Sequence, residues 1–300
     1  MSKHGSASPP AAPKTVGELL DQAAEAIRGS SAVSLWRASD ARAQAEELLA
    51  EVLGCDVGPG DLCATIGGKR RQRFEAWVTR RVAGEPVALI IGRTEFMGME
   101  LHVRKGVFVP RNSSEHMATL VIARLRPRKA PVHVDLATGT GPVALAVARA
   151  VAKASVLGLD IAPLPLKVAR GNARRLGIGN VRFLQSDLLA SLPPELRGGV
   201  DAFTIHPPYV ARERVQTLPK EIRKFEPKES LTDRSDDGLG LVRRLAAEAP
   251  AWLRRGGWVL VEVSPDLSRS VAAILRRGGL TNVRSHRDSL GATRVVAGRL

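Results

Sequence analysis

The sequence predicts an α/β protein: a doubly wound sheet of seven strands ending in an antiparallel edge hairpin, preceded by a small helical domain. Three patterns predict it. Val132–Ala148 reads as a buried strand, a glycine turn and an Ala-rich helix. From Ser113 onward, apolar runs of strand length alternate with helical-period segments, which is the mark of a parallel sheet. Before Gly84 the periodicity is helical only.

Taken in order, residues 1–14 are rich in Ser, Pro and Ala and are expected to be a disordered tail. A helical domain follows over 15–83. Thr15 and Glu18 form a capping box that starts a helix to about Arg28. A second helix runs from about Ser39 to Leu53 and stops at Gly54. A third covers Lys69–Val82, with Phe74, Trp77, Val78 and Val82 on one face. Residues 84–112 hold short β-like runs, Val87–Ile91, Glu95–Met97, Met99–Val103 and Val107–Val109, expected to form a β-hairpin linker. The third domain covers 113–300. Its strands are expected at 132–136, 155–160, 181–185, 200–205, 257–263, 282–286 and 294–298, with helices at 114–125, 143–151, 164–176, 238–253 and 267–277. No helix separates the last two strands, so they should pair antiparallel at the sheet edge.

Composition narrows the function. Apolar residues make up 44% of the 300, enough for a large core, and the formal charge is +15. That charge suits an anionic partner. However, the basic clusters are scattered and no aromatics interleave with them, so direct nucleic-acid binding stays open beside a merely solvated surface. Cys55 and Cys63 have no His or Cys at ligand spacing, and no metal site is expected. No signal core and no membrane-length apolar run occur, so a cytoplasmic protein is expected.

In doubly wound sheets ligands bind beyond the carboxyl ends of the strands. Asp135, Asp160, Asp187 and His206 all fall at or just after such ends. The turn Ala137-Thr138-Gly139-Thr140-Gly141 lets backbone approach a ligand and aims helix N–H groups at it. Gly139, Gly141 and Ala144 also fit a dinucleotide fingerprint, and Asp160 lies at about the ~20-residue distance of a ribose ligand. A dinucleotide and S-adenosylmethionine therefore compete. The carboxylate of Asp135 would crowd a pyrophosphate but suit the cationic amino acid end of S-adenosylmethionine. After the strand ending at Ile205 comes His206-Pro207-Pro208-Tyr209. Its prolines fix the backbone and leave carbonyls free to accept from a substrate N–H. The same residues would also make a rigid turn with Tyr209 packed as core. His102, His116, His133 and His286 stand alone and read as structural or exposed.

The chain order, glycine turn and Pro-Pro-Tyr loop resemble class I S-adenosylmethionine-dependent methyltransferases, and within them the HemK/PrmC-like family that methylates glutamine side chains of peptide-chain release factors. The resemblance runs through Gly84-Glu85-Pro86, Gly92, Phe96, Val109-Pro110-Arg111, Glu115, Asp135, Gly139-Thr140-Gly141, Asp160, Asn172, Leu176-Gly177 and Asp187. It continues through Pro207-Pro208-Tyr209, Glu226-Pro227, Asp237-Gly238-Leu239 and Gly256-Gly257-Trp258 ahead of Glu262. It implies a Rossmann-like methyltransferase sheet and decides the cofactor competition for S-adenosylmethionine. The implied cofactor residues are Asp135, Ala137, Thr138, Gly139, Gly141, Asp160 at the ribose, Ile161, Asp187 and Leu188 about the adenine, and His206. The implied catalytic residues are His206, Pro207 and Tyr209. The helical domain is expected on the acceptor side.

Departures cluster at the acceptor side. The family has Asn in place of His206, Pro-Glu-Thr in place of Asn112-Ser113-Ser114, Tyr in place of Leu89, and Gly and Gln in place of Ser264 and Leu267. A neutral imidazole presents one ring nitrogen as acceptor and the other as donor. His206 is thus expected to hold an acceptor N–H or O–H, or to serve as a base. The readings in play are methyl transfer to a protein glutamine or related nitrogen, transfer to a small natural-product acceptor, and a non-catalytic cofactor-binding or ribosome-associated protein.

Overall fold

The computed structural model describes residues 14–35 and 37–300. Residues 1–13 of the expected tail lie outside the described residues. The chain forms two compact units, one of residues up to Ile91 together with Pro219–Glu221, the other of Gly92–Leu218 and Ile222–Leu300.

In the first unit α1 (Val16–Gly29) starts at the expected capping box: the Thr15 hydroxyl accepts from Glu18 N–H at 3.2 Å and the Glu18 carboxylate from Thr15 N–H at 2.8 Å. α2 (Asp40–Leu53) ends at Gly54 in the left-handed conformation. α3 (Gly68–Val82) buries Phe74 against both. Arg81 is buried too, and its guanidinium donates to Gln44 at 2.7 Å and pairs with Glu221 at 3.0 Å. The stretch after α3 corrects an expectation. Val87–Ile91 is not a strand but a short helix, α4. The Pro86 carbonyl accepts from Leu89 and Ile90 N–H, and Gly92 at φ +90° stops the turn. Local start and stop signals outweigh the β-propensity of Val and Ile.

The second unit opens with a hairpin, β1 (Arg93–Phe96) and β2 (Met99–His102), so the only paired strands of the 84–112 segment lie here. Met97 and Gly98 both take positive φ, the two-residue turn that matches strand twist. Glu115 accepts from Met97 N–H at 2.6 Å, and Arg149 donates to the Gly98 carbonyl at 3.0 Å. The expected run Val107–Val109 joins no ladder. Then follow α5 (Ser113–Leu125), β3 (Val132–Leu136), α6 (Pro142–Ala150), β4 (Ser155–Asp160), α7 (Pro163–Arg175), β5 (Val181–Gln185) and β6 (Val200–Ile205). A long connection carries α8 (Lys220–Phe225); α9 (Gly240–Glu248), β7 (Leu253–Glu262), α10 (Ser268–Arg277), β8 (Thr281–Arg287) and β9 (Thr293–Arg299) complete the fold. The helix expected over 238–253 is shorter, because Pro250 lacks an N–H and the chain turns there into an earlier β7.

The sheet order is β5-β4-β3-β6-β7-β9-β8, parallel through β7 and antiparallel at β9 and β8. One core packs α5, α6 and α7 on one face, and the other packs α9 and α10 on the opposite face. Strand order reverses between β3 and β6, so a crevice opens beyond their carboxyl ends. No helix among the described residues is long and apolar enough to cross a membrane.

Candidate active site

The glycine turn is built from the end of β3. Ala137 at φ +49°, Gly139 at +56° and Gly141 at +87° reverse the chain within five residues, and Pro142 opens α6. Each part of the turn is held. Thr138 N–H donates to the Leu159 carbonyl at 2.9 Å, Gly141 N–H to the Thr138 carbonyl at 2.9 Å, and Gly139 N–H to Asp160 at 2.8 Å. The buried Asn172 amide donates to the Thr140 carbonyl at 3.1 Å and accepts from His102 N–H at 2.9 Å, tying the turn to β2. A Cβ on Gly141 would lie 3.0 Å from the Phe183 ring, whereas one on Gly139 would meet nothing within 4 Å. Gly141 is therefore needed for packing, and Gly139 faces open space.

Two carboxylates frame this space differently. Asp135 is buried, and its oxygens accept from Thr138 Oγ1 at 2.6 Å and Thr204 Oγ1 at 2.7 Å. Burial pushes its carboxyl up to about 6, against those hydroxyls. Thr204 Oγ1 in turn lies 2.9 Å from His133 Nε2. Since the Thr204 hydrogen is spent on Asp135, His133 must donate from Nε2, and burial drives its imidazolium form down to about 3. His133, read from the sequence as structural or exposed, is structural: it is buried and anchors the turn from below.

Asp160 ends β4 and accepts from Gly139 N–H and from Ala162 N–H at 2.9 Å. Burial raises its carboxyl despite these bonds. The next residue, Ile161, is a large apolar side chain that is 60% exposed. At the end of β5, Leu188 takes φ +53° and is buried, while Asp187 pairs with Arg244 at 3.0 Å.

Beyond β6 stands a second cluster. His206 is flanked by Phe108, edge-on at 5.6 Å between centroids, and by Tyr209, stacked at 5.7 Å. Arg111 lies 4.7 Å over Phe108 and pairs with the buried Glu226. The segments Val109-Pro110-Arg111 and Glu226-Pro227, far apart in sequence, meet here. The Pro208 carbonyl accepts from Asp233 N–H at 3.0 Å, but no described residue donates to the Pro207 carbonyl. Gly238 backs this loop, because a Cβ there would fall 2.0 Å from the Tyr209 carbonyl oxygen. Burial holds the Tyr209 phenol above its usual range.

Glu262 was missed as a site residue. It ends β7, is buried, and sets Oε2 3.5 Å from His206 Nδ1. The parallel register Ile205↔Val261 sets His206, just after β6, beside Glu262, the last residue of β7, a pairing that no sequence spacing shows. Ser113 donates to Glu262 at 2.7 Å, and Ser114 Oγ lies 3.4 Å from His206 Nδ1.

This geometry can be set beside known proteins. A methyltransferase domain model matches residues 134–225, and a PrmC N-terminal domain model matches 18–92. The chain is 39% identical to the release factor glutamine methyltransferase of Bordetella pertussis, over 75% of this chain and 83% of the relative. The chain belongs to the release factor glutamine methyltransferase family. It is a methyltransferase, as the matching domain and this relative show. It is also 35% identical, over 90% of both chains, to the 4-amino-L-phenylalanine/4-methylamino-L-phenylalanine methyltransferase of Streptomyces pristinaespiralis. Among solved structures, the Thermus thermophilus 16S rRNA N2 G1207 methyltransferase, in complex with AdoMet and guanosine, shares the fold with TM-score 0.51 and 19% identity. That match covers 69% of this chain and 49% of the other.

Proposed function

We propose that this methyltransferase moves a methyl group from S-adenosylmethionine to an uncharged nitrogen, and that the acceptor is a glutamine side chain of a peptide-chain release factor. The family carries the acceptor class. The cofactor assignment rests on the open space over Gly139 with the Asp160 carboxylate and the exposed Ile161 beside it. Asp160 keeps lone pairs for ribose hydroxyls. Ile161 and Leu188 offer apolar surface to a purine, with Asp187 at its edge. Ala137, Thr138, Gly139 and Gly141 supply the backbone cradle. Asp135 shapes that cradle through Thr138 and adds negative charge near the cationic amino acid end. The bound donor supplies a methyl group on a positively charged sulfur.

The acceptor side is His206, the free Pro207 carbonyl and the Tyr209 ring. An amide nitrogen is a poor nucleophile, and acceptors for its N–H groups orient its lone pair; positioning of this kind supplies several kcal/mol. A second reading, transfer to an aromatic amine of a small amino acid, is favoured by one observation. His206 replaces the family's amide-reading Asn and sits between Phe108 and Tyr209, a surround that suits a ring. Incubation with labelled S-adenosylmethionine and either a release factor or 4-amino-L-phenylalanine decides between them. Label on the release factor supports the first reading, and label on the aromatic amine alone replaces it with the second.

A further inference from the structure

We infer that Glu262 is a positioning residue for the transfer: with Ser113 it fixes the His206 ring so that Nε2 takes the proton released by the acceptor nitrogen. The inference rests on the proposed transfer to nitrogen. Glu262 is 3% exposed, and its two oxygens are treated unequally. Oε1 accepts from Ser113 at 2.7 Å, while Oε2 is buried with no hydrogen-bond partner and lies 3.5 Å from His206 Nδ1. A buried carboxylate oxygen without a donor is costly. A donor at Nδ1 relieves that cost, so Glu262 favours the ring form with its proton on Nδ1 and leaves Nε2 as the acceptor. The carboxylate then faces the positive charge that develops on the ring as the proton arrives, and stabilisation of developing charge is what accelerates a reaction.

The ring's neighbours agree with this direction. Phe108 and Tyr209 contact its faces and edge without contributing charge. Arg111 is turned to Glu226, Arg294 to Asp288 and Asp266 to Arg214. Glu262 is thus the nearest charge to Nδ1. With Nδ1–H toward Glu262, Nε2 is bare. In the step, the acceptor nitrogen forms a bond to the methyl carbon and gives its proton to Nε2. The carbon–sulfur pair leaves with the donor sulfur, which becomes a neutral thioether. Ser114 Oγ at 3.4 Å is the competing partner; a hydroxyl donating to Nδ1 would put the proton on Nε2 and turn His206 into a donor.

Nitrogen-15 NMR of the full chain with labelled histidine, His206 assigned by its loss in His206→Ala, tests this without any acceptor. The expected neutral ring carries its proton on Nδ1, and Glu262→Leu brings in the Nε2–H form. Glu262→Gln, which keeps the volume and polar bonding, is expected to lower kcat roughly 10–100-fold with the acceptor KM within about threefold and donor affinity unchanged by calorimetry. An Nε2–H ring in the unsubstituted protein, or Glu262→Gln with unaltered kcat, would overturn the inference. Lack of transfer to both a release factor and 4-amino-L-phenylalanine would instead remove the functional reading, and the NMR result would still decide what Glu262 does to the ring.

Discussion

Asp135 and His133 show how two buried ionisable groups can hide each other. The Asp135 carboxyl, held up at about 6, binds its proton more tightly in the folded chain, so it subtracts stability as pH rises from 3.8 to about 6. The His133 ring, held down at about 3, is protonated first in the unfolded chain, so stability is lost as pH falls from 6.5 toward 3. Between about 4 and 6 the two slopes oppose. Asp135→Asn removes one of them. Urea unfolding at pH 6 and pH 4 is expected to show the variant losing about 1.4 kcal/mol more per pH unit than the parent. Equal pH slopes in the two proteins would mean that Asp135 is not the compensating group. Asp160 stands at the mouth of the site. Asp160→Ala is expected to weaken S-adenosylmethionine binding by about 1–3 kcal/mol, read by calorimetry, through the lost acceptor and the loosened Gly139 N–H. His206→Ala should bind the donor within about threefold of the parent yet lose roughly 100-fold or more in kcat. Full turnover would make the histidine a turn residue only.

At the scale of elements, the β3–α6 turn separates packing from binding. Gly139 and Gly141 both have positive φ, but only Gly141 has a neighbour in the way. Gly141→Ala meets the Phe183 ring as well as the backbone penalty and is expected to cost more than about 2 kcal/mol of stability. Gly139→Ala bears the backbone penalty alone, about 1–2 kcal/mol, but places a methyl group in the open cradle. Thermal melts and donor titrations should rank the pair in opposite orders: Gly141→Ala less stable, Gly139→Ala the weaker binder for its stability. The same order in both measurements would mean that the space over Gly139 is not the donor site.

At the scale of the molecule, every residue assigned to the donor lies in the second unit, which has two cores of its own. The fragment 92–300 is therefore expected to fold and to bind S-adenosylmethionine within about threefold of the full chain. A folded fragment without donor affinity would show that the first unit completes the site. Some of the 45 Lys and Arg residues are held in specific pairs, Arg81 with Glu221, Arg111 with Glu226 and Arg254 with Asp201, which leave the net charge of +15 unchanged. Such buried or half-buried pairs hold segments in place, a use for arginine that composition does not distinguish from a nucleic-acid face.

Much of the fold was legible without tertiary information. Strands β3, β4 and β6 begin and end where the apolar runs do, because a strand buried on both faces admits little else. The capping box of α1 and the glycine stop of α2 are local chemistry, and local chemistry is visible in sequence. Val87–Ile91 was misread because five apolar residues carry no period, and only the Pro86 carbonyl and Gly92 decide for a helix. The strand-end residues Asp135, Asp160 and His206 could be picked out as one set because a parallel sheet brings all its carboxyl ends to one edge. The sequence by itself thus determined the architecture, the family and the glycine turn. Tertiary structure alone decided what each side chain touches: that Asp135 is consumed by Thr138 and Thr204, that Arg111 finds Glu226, and that Glu262 stands behind His206. The reason is that backbone geometry repeats with the chain, whereas side-chain partnerships join residues 69, 115 and 56 positions apart, and only the folded register brings those together.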